Sequence, residues 1–190
     1  MKKLDYYLQN LRIKKAASFV RDGDDILDIG SGDGALFRWV SDEKIQFNGI
    51  GMDPETSAEI LSTNYRILKE RFPSESIKGR LFTIITALAV LEHIPMKELK
   101  GFIRDCRDQL KAGGLMVITV PSKWVDPILN FLIRLRIIDG MEVEQHHGYD
   151  TNLTIPLFRE HGFELVRHRR FQFGLNNLFV FRKIGKTAET

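Results

Sequence analysis

Apolar residues along this chain gather in two patterns. Largely apolar stretches stand at 26–29, 47–52, 81–90 and 115–120, that at 81–90 running on continuously. Such runs suit parallel strands buried on both faces. Between them, apolar residues recur every three or four positions, the spacing of an amphipathic helix. Leu8, Leu11, Ala16, Phe19 and Val20 mark a helix over 6–20; Ala35, Leu36, Trp39 and Val40 mark one over 34–42. Leu99, Phe102, Ile103, Cys106 and Leu110 mark a third over 95–110, with Gly113-Gly114 as its expected end. Pro54 suits a first helical turn, which predicts a short helix over 54–61. A further strand is expected at 65–69, and 70–80 reads as polar loop. The alternation of strand and helix argues for an α/β fold with a parallel sheet between two helical layers.

The last third departs from that rhythm. Residues 126–138 are apolar almost all round, with Arg134 and Arg136 inserted. A surface helix normally keeps one polar face. This insert, near 122–150, is therefore expected to form a lid over an apolar substrate or a dimer contact, and contact with a membrane surface stays open. A helix over 153–161 should end at Gly162. Strands over 163–173 and 178–183 should flank a Gly174-Leu-Asn-Asn turn, with Arg167-His-Arg-Arg170 alternating outward along the first.

The candidate chemistry centres on Asp25-Ile-Leu-Asp-Ile-Gly-Ser-Gly-Asp-Gly34. Strand, tight glycine turn and helix form the layout that brings a ligand against backbone N–H groups. Gly30-x-Gly32-x-x-Ala35 satisfies the dinucleotide fingerprint, with Asp53 near the expected distance for a ribose contact. Asp28 and Asp33 oppose that reading. A carboxylate about 5 Å from a phosphate charge costs roughly 3 kcal/mol at an effective dielectric near 20. The pair suits a ligand without phosphate and with a positive charge, such as S-adenosylmethionine. An NAD-dependent oxidoreductase remains the alternative enzyme.

Four segments together resemble the class I S-adenosylmethionine-dependent methyltransferases. They are Asp28-Ile-Gly30-Ser-Gly32-Asp-Gly34, Gly49-Ile-Gly51-Met-Asp53, the 84–94 strand with its Leu91-Glu92-His93 exit, and Leu110-Lys-Ala-Gly113-Gly114 leading into 115–121. The resemblance covers roughly residues 12–121 and implies a Rossmann-like, doubly wound, mostly parallel sheet closed by a C-terminal antiparallel hairpin. It implies one methyltransferase domain over 1–190. Gly30, Ser31 and Gly32 would lie under the methionine part of the cofactor, with Asp28 holding its ammonium. Asp53, beside Met52, would take both ribose hydroxyls, since a carboxylate accepts two hydrogen bonds; it also suits a helix N-cap. Either Glu70 or Arg71 falls where relatives place an acidic adenine contact, and Phe72 would stack on the base. Ala89 and Val90 would neighbour the cofactor. Thr83 stands where relatives commonly show aspartate.

Acceptor chemistry falls to histidines. His147 and His93 are the candidate bases, because imidazole titrates near neutral pH. His146 and Tyr149 are candidate substrate contacts, and orienting the loop before the next helix is the plainer role. Zinc held by His146, His147 and His93 is not expected, for lack of cysteine ligands or a His-x-x-x-His helix. The expected reaction is in-line transfer of a methyl group, at oxygen, to a small-molecule or lipid-linked acceptor. A cofactor-binding module without catalysis is the third reading.

The bulk numbers narrow partners. Net charge is +3 on 190 residues, too little to demand nucleic acid. One cysteine, Cys106, excludes an internal disulfide; with no leader pattern at the start, a cytoplasmic location is expected. No apolar run reaches the ~20 residues of a membrane span. Oligomeric state stays open.

Overall fold

The computed structural model describes residues 3–122 and 149–185, with side chains from residue 6. The insert, including 126–138, His146 and His147, lies outside the described residues. Helix α1 (Lys3–Ala17) precedes strand β1 (Asp24–Ile29), helix α2 (Ala35–Asp42) and strand β2 (Phe47–Met52). Strands β3 (Ile60–Leu61), β4 (Tyr65–Leu68) and β5 (Phe82–Leu88) follow, then helix α3 (Met96–Gln109) and strand β6 (Leu110–Pro121). Helix α4 (Thr154–Glu160) leads into strands β7 (Phe163–Phe171) and β8 (Asn176–Lys183).

The strands form one sheet in the order β3-β4-β2-β1-β5-β6-β8-β7. Pairs β1/β2, β2/β4, β1/β5 and β5/β6 are parallel; β3/β4, β6/β8 and β7/β8 are antiparallel. The mostly parallel, doubly wound sheet with its closing hairpin is the architecture expected. From β1 the chain steps outward through β2 and β4, then returns to β5 on the other side of β1. Loops leaving β1 and β5 therefore diverge, and ligands of such sheets bind in the crevice at those carboxyl ends.

Alternate residues of the central strands feed two cores. Ile26, Ile84, Val117, Leu178 and Val180 pack with Ile13, Ala16, Leu36, Phe37 and Val40 of α1 and α2. Leu27, Ile85, Ile118, Phe179 and Phe181 pack with Leu99, Ile103, Leu157 and Phe158 of α3 and α4. Cys106 is fully buried, and burial pushes its thiol well above the ordinary range, in keeping with a packing role.

Three expectations fail. The helix over 54–61 is absent. Asp53 Oδ1 accepts the Glu55 N–H at 2.8 Å, and Thr56 Oγ1 donates to the Ala58 carbonyl at 3.2 Å. These local side-chain bonds hold a turn that leads to β3 instead. Gly113-Gly114 does not cap α3 either. The helix ends as Leu110 turns extended (φ −89°, ψ 139°) and pairs with Phe82, so the glycines lie inside β6. The register shifts between Phe82 and Ile84, with Gly113 at φ +74°. Lys111 reaches back to Asp25 at 2.7 Å, its ammonium holding that carboxyl below the usual range. The final turn also moves: β7 stops at Phe171, and Gln172–Leu175 turn the chain.

Candidate active site

β1 carries Asp28 to the crevice floor, only 4% exposed. Its Oδ1 accepts the Thr86 hydroxyl at 2.6 Å. Burial pushes the Asp28 carboxyl up to about 7, against the Thr86 bond, and the charge of Asp53 adds to the rise. Asp33 differs. It is exposed and paired with Arg38 at 2.7 Å, so its charge is largely met, and the case against a pyrophosphate rests on Asp28.

The chain then enters the glycine turn. Gly30 (φ +72°) brings its backbone so close to β5's exit that a Cβ would lie 2.6 Å from Val90 Cγ2. The Gly30 N–H donates to the Met52 carbonyl at 2.8 Å, and the Gly32 N–H to Asp53 Oδ2 at 2.8 Å. Asp53 thus ties the turn to the end of β2. On the other side, Ala89 turns out of β5 at φ +60°, its N–H donating to the Thr119 carbonyl at 3.0 Å. Among the described residues, the buried Ser31 Oγ has no hydrogen-bond partner.

Beside this floor opens a cavity of about 680 Å³, walled by Gly30, Met52, Arg71, Phe72, Val90 and His93. That volume lies in the range of pockets for small ligands. Phe72 is fixed edge-on to Phe102, ring centroids 5.6 Å apart. Glu70 is not on the wall: its carboxylate accepts from Ser74 and Ser76, bonds that hold it below the usual carboxylate range. Arg71 and Phe72 occupy the place left open between Glu70 and Arg71 in the sequence. A smaller cleft of about 50 Å³ lies across the glycine turn, where Gln9 and Arg12 of α1 meet Asp28, Gly30 and Ser31. The sequence reading missed Gln9 and Arg12. Their spacing with Ile13 on one helix face was the available signal.

The residues present fit S-adenosylmethionine. Asp28 offers a buried carboxyl that an ammonium would hold ionised, and Asp53 offers carboxylate oxygens at the strand end for the ribose. The glycine turn leaves the backbone exposed as a cradle that a Cβ at Gly30 would fill. The cavity lined by Phe72 and Val90 has the volume for the base.

Of the acceptor candidates, His93 lies on the cavity wall, in the single helical turn Leu91–His93. Tyr149 is buried, its hydroxyl 2.8 Å from Thr154 Oγ1, and burial pushes the phenol up to about 12. His146 and His147 lie outside the described residues.

Comparison with known proteins agrees. A family model described as a methyltransferase domain matches residues 2–179. Sphingolipid C9-methyltransferase 1 of Gibberella zeae is 29% identical over 118 residues, 53% of this chain and 21% of that protein. The chain thus spans about a fifth of that relative's length. A cyclopropane synthase from Mycobacterium tuberculosis superposes with a TM-score of 0.66 at 14% identity, covering 92% of this chain and 84% of that one. Magnesium protoporphyrin IX methyltransferase from Synechocystis, solved with bound S-adenosylhomocysteine, gives 0.63 at 13% identity, over 94% and 82%.

Proposed function

This chain belongs to the S-adenosylmethionine-dependent methyltransferase family, and we propose that it methylates a small-molecule or lipid-linked acceptor at oxygen. The buried Asp28 beside the glycine turn carries the cofactor half of the reading. A cation is the ligand that such a carboxylate stabilises, and a pyrophosphate is one that it repels. Asp53 holds the ribose, Phe72 and Val90 enclose the base, and Arg12 faces the end of the cleft that suits a carboxylate. Bound there, the cofactor supplies a methyl group on a sulfonium, open to in-line SN2 displacement by the acceptor.

The protein's task is chiefly to hold and to dry the reacting atoms. Positioning of this kind supplies roughly 7–11 kcal/mol. His93, on the cavity wall, takes the proton of an acceptor hydroxyl; His147 and His146, with Tyr149, are the further candidates on the acceptor side. The apolar stretch 126–138 supports an acceptor with a hydrocarbon part. So does the printed name of the sphingolipid relative. That name also favours a second reading, transfer to carbon.

The test is transfer of labelled methyl from S-adenosylmethionine into lipid and aqueous extracts, with mass spectrometry of the product. An O-methylated lipid supports the proposal, and a C-methylated product supports the second reading. Cofactor binding with no transfer to either extract would sink both and leave a binding module.

A further inference from the structure

The tip of the β7–β8 hairpin stands at the crevice end of the sheet, because β8 begins with Asn176 opposite Pro121, the last residue of β6. Its two central residues, Gln172 (φ +52°) and Phe173 (φ +56°), are both left-handed, and the Gly174 N–H closes the turn on the Phe171 carbonyl at 3.1 Å. This conformation selects Asn-Gly. A bulky side chain there is strained. Phe173 is also fully exposed, at 106%. Among the described residues nothing covers this strained aromatic, which makes it a candidate for a contact beyond them.

The tip is held firmly. Gln172 Nε2 donates to the Leu8 carbonyl of α1 at 2.9 Å, and Ser122 Oγ donates to the Gly174 carbonyl at 2.5 Å. Tyr6 and Tyr7, just before Leu8, are exposed as well. Behind the tip, β7 is the edge strand and presents Arg167, Arg169 and Arg170 to solvent. Arg167 lies over the Phe19 ring at 5.6 Å. Among the described residues, Arg169 and Arg170 form no ion pair, and the one carboxylate on β7, Glu164, is matched by Arg182 at 3.1 Å.

We propose that this hairpin docks on an anionic lipid bilayer, with Phe173 entering the headgroup layer and the arginines of β7 meeting the lipid phosphates. Aromatic side chains settle at that depth. Basic residues are attracted to the charged leaflet. The orientation turns the crevice toward the bilayer. The inference goes beyond the acceptor proposed above and stands without it.

The test is co-sedimentation of the full chain with phosphatidylcholine vesicles, with and without phosphatidylserine. Enrichment should require phosphatidylserine and weaken with salt. Arg169→Glu/Arg170→Glu should lower partitioning about fivefold or more per site. Phe173→Gly should lower it about tenfold while raising the thermal midpoint, since glycine relieves the strain. Equal sedimentation with both vesicle types, or unchanged partitioning of both variants, would overturn the proposal. So would tighter binding to a single-stranded RNA than to vesicles. S-adenosylhomocysteine binding measured on the same preparations separates this failure from failure of the methyltransferase reading.

Discussion

Asp28 sets the terms at the scale of single residues. Its carboxyl is pushed up to about 7, chiefly by burial. The folded chain therefore binds its proton more tightly than the unfolded chain does, and stability falls as pH rises from about 4 to about 7. Above that window the cost is constant. Asp28→Asn removes it. Urea unfolding should show the variant level with wild type near pH 4 and more stable by up to about 4 kcal/mol near pH 8. The same variant should lose cofactor affinity, a trade of stability for function that active sites commonly show. Affinity of the wild type should likewise weaken as pH drops below about 7, because the ammonium needs the ionised carboxylate. Gly30 is the second such residue. Gly30→Ala combines a positive φ with the collision at Val90, and chemical unfolding should report a loss of about 3 kcal/mol. The motif reading put Asp28, Gly30, Gly32 and Asp53 at one turn because strand-turn-helix spacing fixes their place. It did not find that Arg38 answers Asp33, or that Ser74 and Ser76 occupy Glu70, since such pairings depend on loop packing.

Secondary elements were legible where burial dictates pattern. β5 and the body of β6 are near-continuous apolar runs, which suit strands covered on both faces, while β1 and β2 carry shorter apolar stretches around Asp28 and Asn48. Glycine and proline were ambiguous. Pro54 opens a turn because Asp53 bonds forward to Glu55. Gly113-Gly114 serve a strand irregularity, which draws on the same positive φ as a helix end. That difference is measurable. A Cβ on Gly114 would lie 3.0 Å from the Thr83 and Lys111 carbonyls, whereas one on Gly101, inside α3, meets nothing within 4 Å. Gly101→Ala should stabilise by up to about 1 kcal/mol, and Gly114→Ala should destabilise by about 1–3 kcal/mol, both read from urea midpoints. Thr83 shows a departure absorbed locally: it takes the Asp25 N–H at 3.0 Å and donates to Asp24 at 2.7 Å, bridging β1 and β5.

For the whole molecule, the order of the sheet places the crevice, and the charge inside the crevice chooses the ligand. None of the described helices is long and apolar enough to cross a membrane. Exposed basic residues instead line the edge strand β7, away from Asp28 on the crevice floor. The central claim is that the crevice holds S-adenosylmethionine. Calorimetric titration with S-adenosylhomocysteine, with NAD in parallel, tests it on the wild type and on Asp53→Ala. Micromolar binding of the nucleoside, lost in the variant and matched by no heat from NAD, is the result expected. Binding of NAD with silence from S-adenosylhomocysteine would contradict it.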